Sequence, residues 1–257
     1  MFARRFCSCR GTVKYFRIVG VALLILMTSF VKEAFAQDHA AIVGNAVGEI
    51  SSVSGPATVR VDLGDCQFSI ALGEGDHAKY NDPDLVLYRA SRSLADHDLP
   101  YLKQAEMTSG YDWWFEEPKA ARVRWVGLMC DNTSDFKWSS SPMRSEVSPE
   151  LQDIMDSNSL KCPADFDGKK WTPLRKGGGV NFEDIDVPGA NGFVVDIKSK
   201  NGIQGSRFCF FNGKNVLIGV SGGGANIQGE KSSKDSFLYP LLRSIQFKSD
   251  AMRAQQQ

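Results

Sequence analysis

The sequence predicts an α+β fold: predominantly antiparallel β-sheet, sandwich-like, with a few short helices and two disulfide-stabilised halves. Three observations carry this expectation. Beyond position 40 the apolar runs are short, often alternate with polar residues, and are broken repeatedly by Gly, Asn and Ser. Helix-start chemistry is found at only a few places. Cys66, Cys130, Cys162 and Cys209 stand far apart, without the C-x-x-C pair that zinc would require.

Taken in order, Val43 to Ile50 and Ala57 to Val61 read as strands on either side of the turn-forming Ser54-Gly55-Pro56. Cys66 to Leu72 sets Phe68, Ile70 and Leu72 on one face, the pattern of a half-buried strand. Leu99 to Met107 reads as a helix with Asp98 as its cap and Pro100 in its first turn. Ala121 to Met129 alternates Val123, Trp125 and Gly127 against Arg122, Arg124 and Val126, again a strand. Ser148-Pro149-Glu150 opens a second helix over Leu151 to Met155 by cap and first-turn proline. Gly192 to Ile197, Arg207 to Phe211 and Asn215 to Val220 are three strands, the last two joined at Asn212-Gly213, a type I′ hairpin signal. Ser232 to Ser244 reads as a helix with Phe237, Leu238, Leu241 and Leu242 on one face, and Ile245-Gln246-Phe247 closes the chain's folded part. The stretch from Cys162 to Phe182 has no regular pattern. In each half a cysteine-bearing strand leads to a second strand, a polar stretch and a short helix, a loose internal echo.

The first 36 residues say where the chain works. Arg4, Arg5, Arg10, Lys14 and Arg17 precede an apolar run from Ile18 to Val31, and Ala34-Phe35-Ala36 offers small residues for cleavage before Gln37. That order is the export-signal pattern. The run falls short of the roughly 20 residues that span a bilayer as a helix. An uncleaved anchor is the alternative, and either way the body lies beyond the membrane. The expected organisation is a signal peptide at 1–36, a β-rich module at 37–145, an α+β module at 146–250 and a disordered tail at 251–257. The compartment is periplasmic or extracellular, with no membrane span after cleavage.

That segment also changes the charge balance. The whole chain has 30 basic and 30 acidic residues. Six of the former and one of the latter fall in the first 36 positions, so the body carries 24 and 29. A mildly acidic body gives no footprint for nucleic acid or anionic lipid. Cys7 and Cys9 precede the apolar run and leave with it, which excludes a lipid-modified cysteine of the usual bacterial kind. The other four cysteines, in an oxidising compartment, read as two disulfides. Of the three possible connectivities, Cys66–Cys130 with Cys162–Cys209 keeps each bridge inside one half of the chain.

Gly48-Glu49-Ile50-Ser51-Ser52-Val53-Ser54-Gly55-Pro56-Ala57-Thr58-Val59, followed by Gly75-Asp76 and Asp84-Leu85-Val86, resembles the opening of FecR-like domains. Cys66 interrupts the strand usual in that family, and the Thr-Gly that normally follows is missing. The resemblance implies an extracytoplasmic β-sandwich used for sensing or binding. The C-terminal helix followed by Ser244-Ile245-Gln246-Phe247 also resembles the closing helix and strand of PsbP/Mog1-type sandwiches, which implies a binding scaffold.

Catalytic candidates are few. Gly219-Val220-Ser221-Gly222-Gly223 matches the G-x-S-x-G nucleophile elbow after a strand, but Gly-rich residues follow where a helix is needed, and no His lies beyond His97. His77 beside Asp76, and His97 between Asp96 and Asp98, could each be a base oriented by a carboxylate or a metal ligand, but with no second His at i+2, i+3 or i+4 they read as solvated surface residues. Asp131, Thr133 and Asp135 imitate a calcium loop whose glycine and closing Glu are replaced by Phe136 and Pro142, so they read as a turn. Gly177-Gly178-Gly179 after Arg175-Lys176 reads as a hairpin rather than a phosphate loop. No cofactor or metal is implied. Tyr111, Trp113, Trp114 and Phe115 crowd four aromatics into five positions, suited to core packing or to partner contact. The expectation is an exported, non-enzymatic envelope protein binding a partner protein or ligand through Tyr111, Trp113 and Trp114. The alternative is a secreted serine hydrolase using Ser221.

Overall fold

The alternation at Cys66 to Leu72 seeds the architecture: Cys66, Phe68, Ile70 and Leu72 are buried, and the residues between them are not. In this computed structural model, which describes residues 41–44, 51–107, 110–118, 123–140, 147–174, 180–199, 202–222 and 238–248, that segment belongs to a four-stranded sheet. Numbered in chain order, its strands lie side by side as β1 (Ala41–Gly44), β3 (Ala57–Leu63), β4 (Cys66–Leu72) and β16 (Gln246–Phe247). A larger sheet of eight strands runs β12 (Val180–Val187), β13 (Ala190–Ser199), β14 (Gly202–Phe211), β15 (Asn215–Gly222), β9 (Arg124–Asn132), β6 (Leu85–Arg89), β5 (Asp76–Tyr80) and β2 (Ser52–Ser54). All pairings in these sheets are antiparallel except β1 with β3.

The two sheets enclose the main core. Val59, Val61, Phe68 and Ile70 from the small sheet meet Leu87, Val126, Leu128, Phe208, Phe210 and Leu217 from the large one. Helix α2 (Leu238–Arg243) adds Leu238, Leu241 and Leu242 to the same core. The opposite face of the large sheet is also apolar, because β9, β14 and β15 are buried on both sides. A cover layer packs there: helix α1 (Pro149–Lys161) and the hairpins β7 (Tyr101–Met107) with β8 (Gly110–Glu116) and β10 (Ala164–Phe166) with β11 (Trp171–Pro173). Both expected disulfides are present, Cys66–Cys130 and Cys162–Cys209. The first joins the two sheets through β4 and β9. The second ties the C-terminal end of α1 to β14.

Several local expectations change. Leu99 to Met107 is not a helix: Asp98 caps nothing but closes one 3-10 turn, Asp96–Asp98, and extended β7 follows. Seven in-register pairs with β8 place Leu102 opposite Phe115, a contact no isolated helix could offer. The second helix begins as expected, Ser148 Oγ accepting from Leu151 N at 3.2 Å, but runs on to Lys161. Its later turns hold because buried Asn158 donates to the Asp135 carbonyl at 2.9 Å and to Asp131 at 3.3 Å. The hairpin at Asn212-Gly213 forms, but only Gly213 has a left-handed φ (94°), so it is not a type I′ turn. Ser54-Gly55-Pro56 joins strands of different sheets, since β2 pairs with β5 and β3 with β4. The modules expected at 37–145 and 146–250 share one sheet, where β9 pairs with β15, within the single compact unit Ala40–Gln257. The export segment, the tail, Gly177-Gly178-Gly179 and Phe237 lie outside the described residues. Among the described residues no helix is long and apolar enough to cross a membrane.

Candidate functional site

The aromatic run forms the β8 half of the cover hairpin, and its alternation divides it into two faces. Facing inward, Trp113 packs on the cluster that includes Phe136, Trp138, Trp171 and Phe193. Phe115 meets Trp125 with ring centroids 5.9 Å apart and Trp113 edge-on at 6.2 Å. Gly127 makes room for Phe115: a Cβ there would stand 2.5 Å from the ring. Trp113 is therefore part of the packing, half-buried.

Facing outward, Trp114 is 43% exposed and lies directly across from Lys103. Next along the same face, Tyr101 is 41% exposed and lies across from Glu116. Tyr101 Oη donates to Glu116 Oε1 at 3.2 Å, and Lys103 Nζ makes an ion pair with Oε2 of the same carboxylate. The Lys103 ammonium stands 5.7 Å from the Tyr101 ring centroid. Its bond to Glu116 raises the Lys103 pKa, and the same bond lowers that of Glu116, so both stay charged. The backbone of Tyr111 pairs with Glu106; its side chain is outside the described residues.

The hairpin is fixed laterally to α1. Lys161 Nζ lies 2.9 Å from Asp112 Oδ1, donates to Ser157 Oγ at 3.0 Å and sits 4.7 Å from the Trp113 ring centroid. Burial pushes the Asp112 carboxyl up, but hydrogen bonds from Lys161 and Ser157 outweigh it and hold the pKa below its ordinary value. The cation thus bridges carboxylate, hydroxyl and indole at the seam between hairpin and helix.

The catalytic candidates are placed elsewhere. Ser221 lies within β15, paired with β14 on one side and β9 on the other, not at a strand-to-helix turn. Its Oγ accepts from Ser206 N at 3.1 Å, and Ser206 Oγ donates to buried Asp196 at 2.7 Å. His77 is not oriented by Asp76, which sits on the opposite face of β5 and is gripped by Arg89 at 2.6 and 3.1 Å. Instead His77 Nε2 faces the Ala90 carbonyl at 3.2 Å and Nδ1 faces Ser54 Oγ at 2.7 Å. A carbonyl can only accept, so in the neutral ring Nε2–H donates and Nδ1 accepts from Ser54. The imidazole also stacks on Tyr88 at 4.9 Å. His97 is exposed, 3.7 Å from Asp98. Asn132 caps the 3-10 turn Thr133–Asp135, as a turn requires, and burial raises the pKa of Asp131. Among the described residues, no group of three or more His, Cys, Asp or Glu side chains could hold a metal ion.

Tyr101 and Lys103 escape the sequence reading because helix-start chemistry at Asp98 and Pro100 masks the strand that follows, and without that strand Glu116 has no visible partner. The alternation of Tyr101, Lys103 and Ala105 against Leu102 and Gln104 is the signal that points to them. Comparison of the chain with protein-family models, with curated proteins and with solved structures gives no match.

Proposed function

We propose that this chain is an exported, non-enzymatic protein of the cell envelope that binds a partner or ligand through the outer face of the β7–β8 hairpin. One observation carries the reading: a large indole, Trp114, stands exposed on a face whose neighbouring side chains are held by hydrogen bonds and an ion pair. A rigid exposed aromatic contributes contact area at little entropic cost. The two disulfides favour an oxidising compartment, which agrees with the signal pattern of the first 36 residues. The FecR-like motif around Gly55 supports a sensing or binding module.

A photo-crosslinking amino acid at position 114 tests this in cells. The expected result is that it gives a discrete adduct in envelope fractions, whereas the same probe at exposed Thr58 of β3 does not. Mature protein in those fractions is expected to begin at Gln37. Equal crosslinking at both positions, or accumulation in the cytoplasm, would overturn the reading. A fluorophosphonate that labels the wild type but not Ser221→Ala would replace it with a secreted serine hydrolase.

A further inference from the structure

We infer that the outer face of the β7–β8 hairpin is a glycan platform, with Trp114 stacking on the apolar face of a neutral pyranose ring. This rests on the binding reading above and names its ligand class. The starting point is area. A stable protein–protein interface buries about 800 Å² on each partner. An aromatic side chain buries roughly 150–250 Å² when fully covered. With Trp114 and Tyr101 each about two-fifths exposed, the apolar area on offer is roughly 200 Å². The other large apolar side chains exposed among the described residues, Ile42, Leu160 and Leu174, stand on other elements. That area is under half of the roughly 450 Å² of apolar surface a protein partner needs, but it suits one or two sugar rings.

The polar groups support the same class. A pyranose presents axial C–H bonds on one face and hydroxyls around its rim, so it requires a flat aromatic surface bordered by donors and acceptors. Across the strand from Trp114 is the Lys103 ammonium, a donor, and beside it the Glu116 carboxylate, an acceptor. Their charges cancel, so the patch offers no net field to attract an anion or a cation. Tyr101, tied to Glu116 through its hydroxyl, extends the surface along the hairpin. Diagonal neighbours on such a face lie about 7–8 Å apart, wide enough for the second aromatic to meet a second ring of the same chain. The inner packing of Trp113 and Phe115 keeps the platform from collapsing inward.

The test is affinity electrophoresis of the purified disulfide-bonded protein, together with fluorescence titration using hexasaccharides of glucose, N-acetylglucosamine, galactose and mannose. At least one of the four is expected to bind. Trp114→Ala should weaken that binding tenfold or more, Trp114→Phe should restore part of it, and Leu174→Ala should leave it unchanged. Near-ultraviolet circular dichroism and thiol titration confirm that each variant keeps the fold and both bridges. Failure of all four sugars to bind, or equal binding by Trp114→Ala, overturns the glycan assignment. A protein adduct at position 114 together with no sugar binding would overturn this inference while leaving the proposed function in place.

Discussion

Among the described residues, Asp84 is the one whose surroundings suit its charge least. It is 2% exposed, and its Oδ2 has no hydrogen-bond partner among those residues. Burial pushes its carboxyl from 3.8 up to about 6, against the pull of its own backbone N–H and the Asn81 side chain, with Asp82 adding to the rise. The folded state therefore favours the protonated form. The associated stability is fully present below the unfolded value near 3.9 and is lost as pH rises through about 6. The shift bounds that loss at about 3 kcal/mol. In thermal melts between pH 4.5 and 7.5, Asp84→Asn is expected to remove most of the decline seen in the wild type. Parallel profiles for the two proteins would contradict the account. Asp131 shifts in the same direction, so a smaller slope should persist in the variant. At this scale the candidate site was half legible. Alternation separates Trp113 from Trp114 on paper, but only the sheet beneath decides which of them faces water.

Elements meet closely at the corner between β2 and β3. Gly55 N donates to the Asp76 carbonyl at 2.8 Å, and a Cβ on Gly55 would stand 2.1 Å from the Gly73 carbonyl oxygen. That neighbour is backbone and cannot swing away, so Gly55→Ala must open the corner where the chain leaves one sheet for the other. A loss of more than about 2 kcal/mol is expected from urea midpoints. Gly64 offers the contrast. Its φ is +73°, but a Cβ there would meet nothing within 4 Å. Gly64→Ala should therefore cost only about 1 kcal/mol, the strain of a left-handed backbone. Equal costs at the two positions would show that the corner relaxes around the added Cβ and contradict the packing account. The Ser54-Gly55-Pro56 signal was readable as a turn. That it changes sheets was not, because β2 takes its partner, β5, from beyond the whole β3–β4 hairpin.

In the whole molecule, the central strands of the large sheet are buried on both faces and each disulfide fastens a different layer to it. The sequence separations of 64 for Cys66–Cys130 and 47 for Cys162–Cys209 correspond to about 4 kcal/mol apiece in the chain-entropy model, an upper bound. The consequences should differ in place. Removing Cys66–Cys130 with a double Ser substitution is expected to weaken the contact between the sheets and lower global stability. Removing Cys162–Cys209 should speed amide exchange in α1 while leaving protection in β4 and β9 largely intact. Hydrogen exchange by mass spectrometry distinguishes these patterns. Uniform loss of protection in both variants would mean that the layers do not unfold separately.

The sequence by itself determined the fold class, the starting cap of α1, most strands of the second half and that four cysteines make two disulfides; which thiols pair was decided by the fold. Each of these follows from short-range chemistry: alternation, a Ser-Pro start, or a count of thiols. Tertiary structure decided the rest. Tyr101 to Met107 became a strand because the aromatic segment supplied it a partner. The two halves became one body because β9 and β15 found each other across more than 80 residues. Trp114 became the exposed residue because Trp113 and Phe115 were needed to cover an apolar sheet. In each case the deciding energy came from burial against residues distant in sequence, which no local pattern records.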